Sequence, residues 1–86
     1  MLRYRSTITI KDFAFGDSLT VKVGSTVTVH NADNTAHTVS AAHGSFDTMP
    51  VFAGKSTTFA APANAGSYEF HCNIHANMQG VLVVRR

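Results

Sequence analysis

The 86-residue chain is poor in cysteine and in charge. Its single cysteine, Cys72, leaves no partner for a disulfide within the chain. Charged residues make up 14% of the sequence, well below the roughly 25% of an average soluble protein. The formal net charge of +2 is too small to indicate a nucleic-acid partner. Moreover, four of the seven basic residues lie at the chain ends, namely Arg3, Arg5, Arg85 and Arg86.

Long apolar segments are also missing. No run approaches the ~20 residues that a transmembrane helix needs, so the sequence predicts no membrane span. No apolar segment of the kind found in a signal peptide follows residues 1–3. We therefore expect either a cytoplasmic protein or one whose leader or anchor lies outside this sequence.

The sequence does contain short segments in which apolar and polar residues alternate. A hydrophobic content of 44%, with many Val, Thr and Phe residues, favours a β-rich fold. No segment predicts a helix longer than about one turn. Turn-forming residues recur roughly every 8–12 residues, a spacing typical of a β-sandwich. They separate predicted strands at residues 6–10, 19–23, 27–31, 35–42, 56–59, 68–72 and 81–84. We expect one domain that spans residues 1–86.

One stretch, residues 68–80, carries most of the candidate chemistry and reads YEFHCNIHANMQG. Its first part alternates as a strand, which predicts that Cys72 points inward and His71 outward. A loop then adds His75 and Met78, giving the spacing Cys-x2-His-x2-Met. Completed by a second imidazole, this donor set is typical of a trigonal His2Cys copper site with a weak axial methionine.

His37 is the candidate for the second imidazole. It follows a turn-forming segment after Asn31, the end of the third predicted strand. If the third strand and the final strands lie side by side, this loop and the 72–78 loop share one end of the sandwich. Strand position, loop position and strand parity argue against the other histidines as ligands, which are His30, His43 and His71.

Two other interpretations of these residues stay open on spacing alone. Zinc sites use cysteine, histidine and carboxylate ligands and need no thioether, so a zinc site would leave Met78 without a role. Met78 could equally belong to the hydrophobic core, as most methionines do, and His37 could be a packed core histidine. The spacing of methionine with cysteine and histidine favours copper.

Together these residues resemble the cupredoxins, the small type 1 (blue) copper proteins. Within that family the resemblance is greatest to the amicyanins, with plastocyanin and pseudoazurin further off. It covers about residues 8–84 and rests on VKVGSTVTVHNAD, on AHTV around His37, and on GSYEFHCNIHANMQGVLVV at the C-terminus. The short Cys-x2-His-x2-Met loop and the His before Cys72 are both amicyanin-like.

The resemblance implies an all-β, Greek-key sandwich of seven to eight strands that binds one type 1 copper ion. It implies the ligands His37, Cys72, His75 and Met78. The implied function is the transfer of single electrons by Cu(I)/Cu(II) cycling and not an enzymatic reaction. We expect a monomer that redox partner proteins approach near His75, in a periplasmic or extracytoplasmic location.

Three departures from the family pattern stand near the implied site. Thr38 follows His37 where these families often have Asn, and Asn73-Ile74 stands where a Pro is common after the ligand Cys. His30 stands where an aromatic residue is common. Asn31 resembles a family position whose amide ties the two ligand loops together. We expect these departures to affect redox potential and partner choice more than the identity of the site.

Two other functional classes compete with electron transfer. A module for copper storage or delivery would need an exposed, exchangeable site and no buried Cys72. A fragment of a multicopper oxidase or nitrite reductase would need further His ligands at a neighbouring domain, which a free-standing chain of this length lacks. A binuclear copper centre is excluded because the chain has one cysteine.

Overall fold

The computed structural model describes residues 6–75 and 77–86, which contain seven β-strands and no helix. This outcome confirms the predicted all-β sandwich. None of the described residues form a helix that could cross a bilayer. The strands are β1 (Thr7–Ile10), β2 (Leu19–Lys22), β3 (Thr26–Asn31), β4 (Ser40–Ala41), β5 (Ser56–Ala60), β6 (Gly66–His71) and β7 (Gln79–Arg85).

The strands form two sheets. One sheet has three strands in the order β1-β3-β5, and the other has four in the order β2-β7-β6-β4. The β1–β3 and β2–β7 pairs are parallel, whereas the β3–β5, β6–β7 and β4–β6 pairs are antiparallel. The longest strand, β7, therefore has a neighbour on each side.

The core lies between the sheets and contains residues from both. Alternation along β1, β2 and β3 puts every second side chain inside, as the period of two requires. Each fully buried Val, Leu or Ile side chain contributes roughly 1.5–3 kcal/mol. The inward set includes Ile8, Ile10, Val27 and Val29 from the first sheet and Leu19, Val21, Leu82 and Val84 from the second.

Strand register brings several connections to one end of the sandwich. Ile10 at the end of β1 lies beside Asn31 at the end of β3, and the start of β5 lies opposite His30. In the second sheet, His71 at the end of β6 pairs with Gln79 at the start of β7 and with Ser40 of β4. The loops that carry the candidate ligands both leave from these strand ends.

Two predictions about the strands were wrong. Residues 35–42 form a strand only at Ser40–Ala41. Residues 37–41 are all buried, and their backbone groups form separate hydrogen bonds with residues 46–51 instead of a continuous ladder. The third strand does not lie beside the final strands, since β3 and β7 belong to different sheets. The two ligand loops meet across the sandwich instead. Along β7, Leu82 and Val84 are buried, whereas Val81 and Val83 are half-exposed.

Candidate metal centre

His37 is held by the backbone on both sides. The backbone N–H of His37 donates to the Val51 carbonyl at 3.1 Å, and the backbone carbonyl of His37 accepts from the Val51 N–H at 2.7 Å. Before it, the buried amide of Asn31 closes the turn by donating to the carbonyls of Thr35 and Val51 at 2.7 and 2.8 Å. The imidazole is fully buried. Asn31 therefore braces the His37 loop against residue 51. We expected its amide to tie the two ligand loops together, but its described hydrogen bonds do not reach residues 72–78.

Cys72 directly follows β6 and opens a tightly closed loop. Its N–H donates to the Met78 carbonyl at 3.1 Å, and the Met78 N–H donates to the His75 carbonyl at 3.0 Å. These bonds fix the relative positions of three candidate ligands from one segment. Cys72 and Met78 are both buried, at 1% and 3% exposure, whereas His75 is half-buried.

The structure brings His37, Cys72 and His75 together. Their ligating atoms all lie within 4.8 Å of one another. The Cys72 Sγ is 3.9 Å from the Nδ1 of His37 and 3.8 Å from the Nδ1 of His75. A thiolate and two imidazole nitrogens therefore converge on one small volume, as the sequence predicts. Met78 is buried in the same loop, so a contact between its sulfur and a metal stays a prediction.

The surroundings of Cys72 favour its ionised form. Burial by itself would raise the pKa of the thiol, but the hydrogen bond from the Thr38 N–H and the neighbouring imidazole of His75 help to lower that pKa from 9.0 to about 6. The Thr38 N–H lies 3.3 Å from the sulfur. A thiolate is the form of cysteine that binds metals, so the site is prepared for a metal at neutral pH.

A polar network joins the two ligand loops. The Asn73 N–H donates to the Thr38 hydroxyl at 2.9 Å, and the Asn73 side-chain amide donates to the Ser40 hydroxyl at 3.0 Å. Ser40 in turn donates to Asp47 at 2.7 Å. Thr38 and Asn73 thus provide the connection between the ligand loops that the family resemblance implies for Asn31.

Asp33 is a residue near the site that the sequence did not single out. Its Oδ2 lies 2.9 Å from the Nε2 of His37, with the carboxylate only 9% exposed. The N–H of Phe13 and the imidazole of His37 hold the pKa of Asp33 below its ordinary value of 3.8, against the opposing effect of burial. In the sequence, Asp33 is accounted for as a turn-forming residue. A carboxylate four residues before a histidine is too common a pattern to indicate this contact.

Phe13 is the other residue that sequence reasoning missed. Its ring meets both imidazoles edge-on, with centroids 5.2 Å from His37 and 4.9 Å from His75. Phe13 lies beyond the first predicted strand, which ends at residue 10, and no motif includes it. In the structure it lies in the connection from β1 to β2, at φ 59°, and its side chain is 50% exposed.

The remaining histidines lie outside the cluster, as predicted. His30 is in β3 and its Nδ1 lies 2.8 Å from the Ser56 hydroxyl. His71 is half-buried and its Nε2 lies 2.8 Å from the Asn73 side-chain oxygen. His43 is exposed in a turn.

The donor set fits one copper ion of the type 1 class. A buried cysteine with two histidines and a nearby methionine is the arrangement of blue-copper electron-transfer sites. A structural zinc site would instead close its tetrahedron with a fourth cysteine, histidine or carboxylate. Among the described residues, the group of potential metal ligands of these types contains only His37, Cys72 and His75. The carboxylate of Asp33 is bonded to the far nitrogen of His37 and does not complete a zinc site.

Comparison with known proteins gives the same result. The family of cupredoxin-like domains matches residues 3–84, although no curated protein sequence matches the chain. Among solved structures, an oxidized proline-to-alanine mutant of amicyanin has 27% identity and a TM-score of 0.81, over 92% of this chain and 80% of that chain. A reduced Cu(I) form, at pH 4, of a proline-to-glycine mutant of amicyanin has 25% identity and a TM-score of 0.83, over 99% and 86%. The chain is similar to amicyanin in fold and in sequence, and it belongs to the cupredoxin family.

Proposed function

We propose that this protein carries single electrons between redox partners, with one type 1 copper ion held by His37, Cys72, His75 and Met78. The observation that carries the proposal is the convergence of three donor atoms within 4.8 Å, with two of the three side chains buried. When bound, copper supplies the Cu(I)/Cu(II) couple. The chain's own role is to hold one ligand geometry for both oxidation states, so that little reorganisation accompanies electron transfer.

Each ligand has a distinct part in this proposal. The Cys72 thiolate is the strong, negatively charged donor, and the Thr38 N–H stabilises that charge at 3.3 Å. His37 is locked by its backbone bonds to Val51. Met78 supplies a soft thioether, which favours Cu(I) and so raises the potential. His75 is half-buried, the most accessible of the three converging donors, and offers electrons a short route to the surface.

The surface around the site supports docking near His75. The exposed large hydrophobic side chains of the described residues are Phe13, Met49, Phe52 and Ile74, and we call them the apolar rim. Phe13 contacts both imidazoles, and Ile74 lies in the 72–78 ligand loop. Met49 and Phe52 lie on either side of Val51 in the sequence, and Val51 is the residue that pairs with His37. Clustered exposed apolar residues mark interaction sites, whereas scattered ones do not. We infer that redox partners dock on the apolar rim.

The remaining parts of the proposal concern the setting of the protein. Similarity to amicyanin supports a carrier rather than an enzyme, and a periplasmic or extracytoplasmic location. The small net charge of +2 gives no reason to expect nucleic acid as a partner. We propose that the carrier works as a monomer.

Electrochemistry tests the carrier role against copper storage or delivery. We expect the copper-loaded protein to give one reversible one-electron wave and to keep its copper through repeated reduction and reoxidation in the presence of a Cu(I) chelator. A storage or delivery protein would instead release its copper to the chelator on reduction. Loss of copper in the first cycle would contradict the proposal. The His43→Ala variant is a matched control, because His43 is exposed and outside the cluster.

A further inference from the structure

The Asp33 carboxylate accepts three hydrogen bonds from two parts of the chain. Its Oδ1 accepts from the Asp12 N–H at 2.7 Å, and its Oδ2 accepts from the Phe13 N–H at 2.9 Å. The same Oδ2 lies 2.9 Å from the His37 Nε2. The Asp33 N–H is itself held by the Asn31 side-chain oxygen at 2.9 Å. The carboxylate is therefore a fixed acceptor that joins the β1–β2 connection to a ligand histidine.

The contact with His37 determines which ring nitrogen faces the metal. A carboxylate oxygen can only accept, so Nε2 must carry the hydrogen of the neutral imidazole. Nδ1 is then left with its lone pair, and it is Nδ1 that lies 3.9 Å from the Cys72 sulfur. A carboxylate behind a ligand histidine fixes its tautomer and ring orientation and raises its basicity.

The other two contacts hold a strained turn. Asp12 and Phe13 both have positive φ, 53° and 59°, although neither is glycine. Paired backbone bonds of 3.0 Å between Lys11 and Ala14 close this two-residue hairpin, a turn that normally selects Asn-Gly or Asp-Gly. The left-handed conformation is unfavourable for residues other than glycine. Hydrogen bonds from both strained N–H groups to an ionised carboxylate offset this cost.

The strained turn places an aromatic ring on the site. Because its backbone is held in this conformation, the Phe13 ring lies edge-on to His37 at an interplanar angle of 89° and to His75 at 87°. No other described ring contacts both imidazoles. One carboxylate thus controls both the orientation of a ligand and the cover over two ligands.

We propose that Asp33 is a positioning residue of the metal site, which fixes the tautomer of His37 and seats Phe13 over the two imidazoles. The metal-related part of this inference rests on the proposed function, whereas the tautomer of His37 and the position of Phe13 are properties of the chain alone. Removal of the carboxylate should therefore change the site both with and without copper.

The first experiment uses copper-free protein and nuclear magnetic resonance of the imidazole nitrogens. We expect His37 to be a single Nε2–H tautomer in the wild type and a mixture in Asp33→Ala. Asp17→Ala is the matched control, since it removes the same charge at an exposed position in the segment before β2; it should leave His37 unchanged. A single Nε2–H tautomer in Asp33→Ala would overturn the inference.

Two further variants separate the tautomer from the turn. Phe13→Gly removes the ring but keeps the N–H and suits the positive φ, so His37 should keep its single tautomer. If Asp33→Ala alone does not fold, Asp33→Ala combined with Phe13→Gly relieves one strained residue and allows the same measurement. A mixed tautomer in Phe13→Gly alone would show that the ring, and not the carboxylate, orients His37.

The second experiment measures copper. We expect Asp33→Ala to bind copper 10–100-fold more weakly than wild type, the usual effect of removing such a partner, while Asp17→Ala binds normally. The potential of Asp33→Ala should rise, because this variant loses a negative charge that stabilises Cu(II). Wild-type affinity and potential in Asp33→Ala would contradict the inference. A wild-type protein that never turns blue would sink the proposed function instead, and the copper-free measurement would still decide the role of Asp33.

Discussion

Cys72 is buried to 1% exposure and yet has a low pKa, and both features come from its position between the two ligand loops. In the folded, copper-free protein we expect the thiol to ionise at about pH 6, because hydrogen bonds to the sulfur, chiefly that from the Thr38 N–H, outweigh burial. The ultraviolet absorbance of the thiolate against pH measures this, with Cys72→Ser as the blank. A midpoint near the ordinary value of 9.0 would contradict the account.

The same shift predicts how stability depends on pH. Between about pH 6 and 9.0 the unfolded chain holds a proton on Cys72 that the folded protein has released. Stability of the copper-free protein therefore rises with pH across this window, and the contribution of Cys72 is lost as the pH falls through about 6. The Cys72→Ser variant should lack this dependence.

Met78 is expected to set the potential rather than the colour. Replacing it with Gln substitutes a harder oxygen donor, which stabilises Cu(II) relative to Cu(I). The potential of Met78→Gln should fall, while the blue colour remains. Voltammetry measures the change, and Met49→Gln is the matched control because Met49 is 81% exposed. An unchanged potential in Met78→Gln would mean that Met78 belongs to the core and is not an axial ligand.

At the level of elements, the pairing of β6 with β7 sets the start of the ligand loop. Phe70 lies opposite Gly80 in the register, and a Cβ on Gly80 would come within 2.5 Å of the Phe70 ring. Gly80→Ala should therefore cost about 1–3 kcal/mol of stability, the usual cost of an overpacked core. Denaturant unfolding of the copper-free protein measures it.

The control for this prediction is a double-mutant cycle. Phe70→Leu removes the atoms that the new methyl group would meet, so Gly80→Ala should cost less in that background than in the wild type. Equal costs in both backgrounds would show that the effect comes from backbone flexibility and not from the close approach of the ring.

Six of the seven strands were predictable from the sequence within two residues at either end, most of them from alternation and β7 from its run of apolar residues. Residues 35–42 were not, because Thr38 and Ser40 are polar yet buried. Their hydroxyls satisfy the amides of Asn73, a long-range arrangement that no local pattern encodes. The ligand motif, by contrast, is local: Cys72, His75 and Met78 lie in one short loop, so their spacing was enough to predict their proximity.

The parts of the site that could not be predicted depend on tertiary contacts. Phe13 reaches the imidazoles because of a turn at positive φ, and the sequence there has no glycine to indicate one. Asp33 stabilises that turn from twenty residues away along the chain. The way in which the His37 loop meets the 72–78 loop could not be predicted either, since the two loops meet across two sheets and not along one.

For the whole molecule, the end that carries the site is not free of charge. The two ligand loops themselves contain few charged residues, as the sequence indicates. The structure adds Lys11 and Asp12 from the β1–β2 turn, which hydrogen-bonds to Asp33 beside the site. These charges are of both signs and stand close together, so they create little long-range field.

Electron self-exchange should accordingly depend weakly on salt. Two copies with a net charge of +2 repel each other only slightly, and we expect the rate to change well under tenfold between low salt and ~0.2 M. The self-exchange rate, measured by magnetic resonance of mixed oxidation states, tests this. A steep salt dependence would mean that charge, and not the apolar rim, governs the encounter.

A charge placed on the apolar rim should have a larger effect. Met49→Glu puts a carboxylate on each of the two docking faces and should slow self-exchange about tenfold or more. Ala63→Glu is the control, because Ala63 is exposed in the connection between β5 and β6, at the opposite end of the sandwich. Ala76, which follows His75 in the sequence, would be another position for this test but lies outside the described residues. Equal rates for the two variants would place electron exit at another face.

The visible spectrum of the copper-loaded protein tests the central claim most directly. If Cys72 binds copper in a site of the type 1 class, addition of Cu(II) must give an intense blue colour from charge transfer between the thiolate and the metal. Cys72→Ser must abolish that colour, because the serine oxygen cannot supply the transition. A colourless wild-type complex with an ordinary tetragonal Cu(II) spectrum would contradict the account.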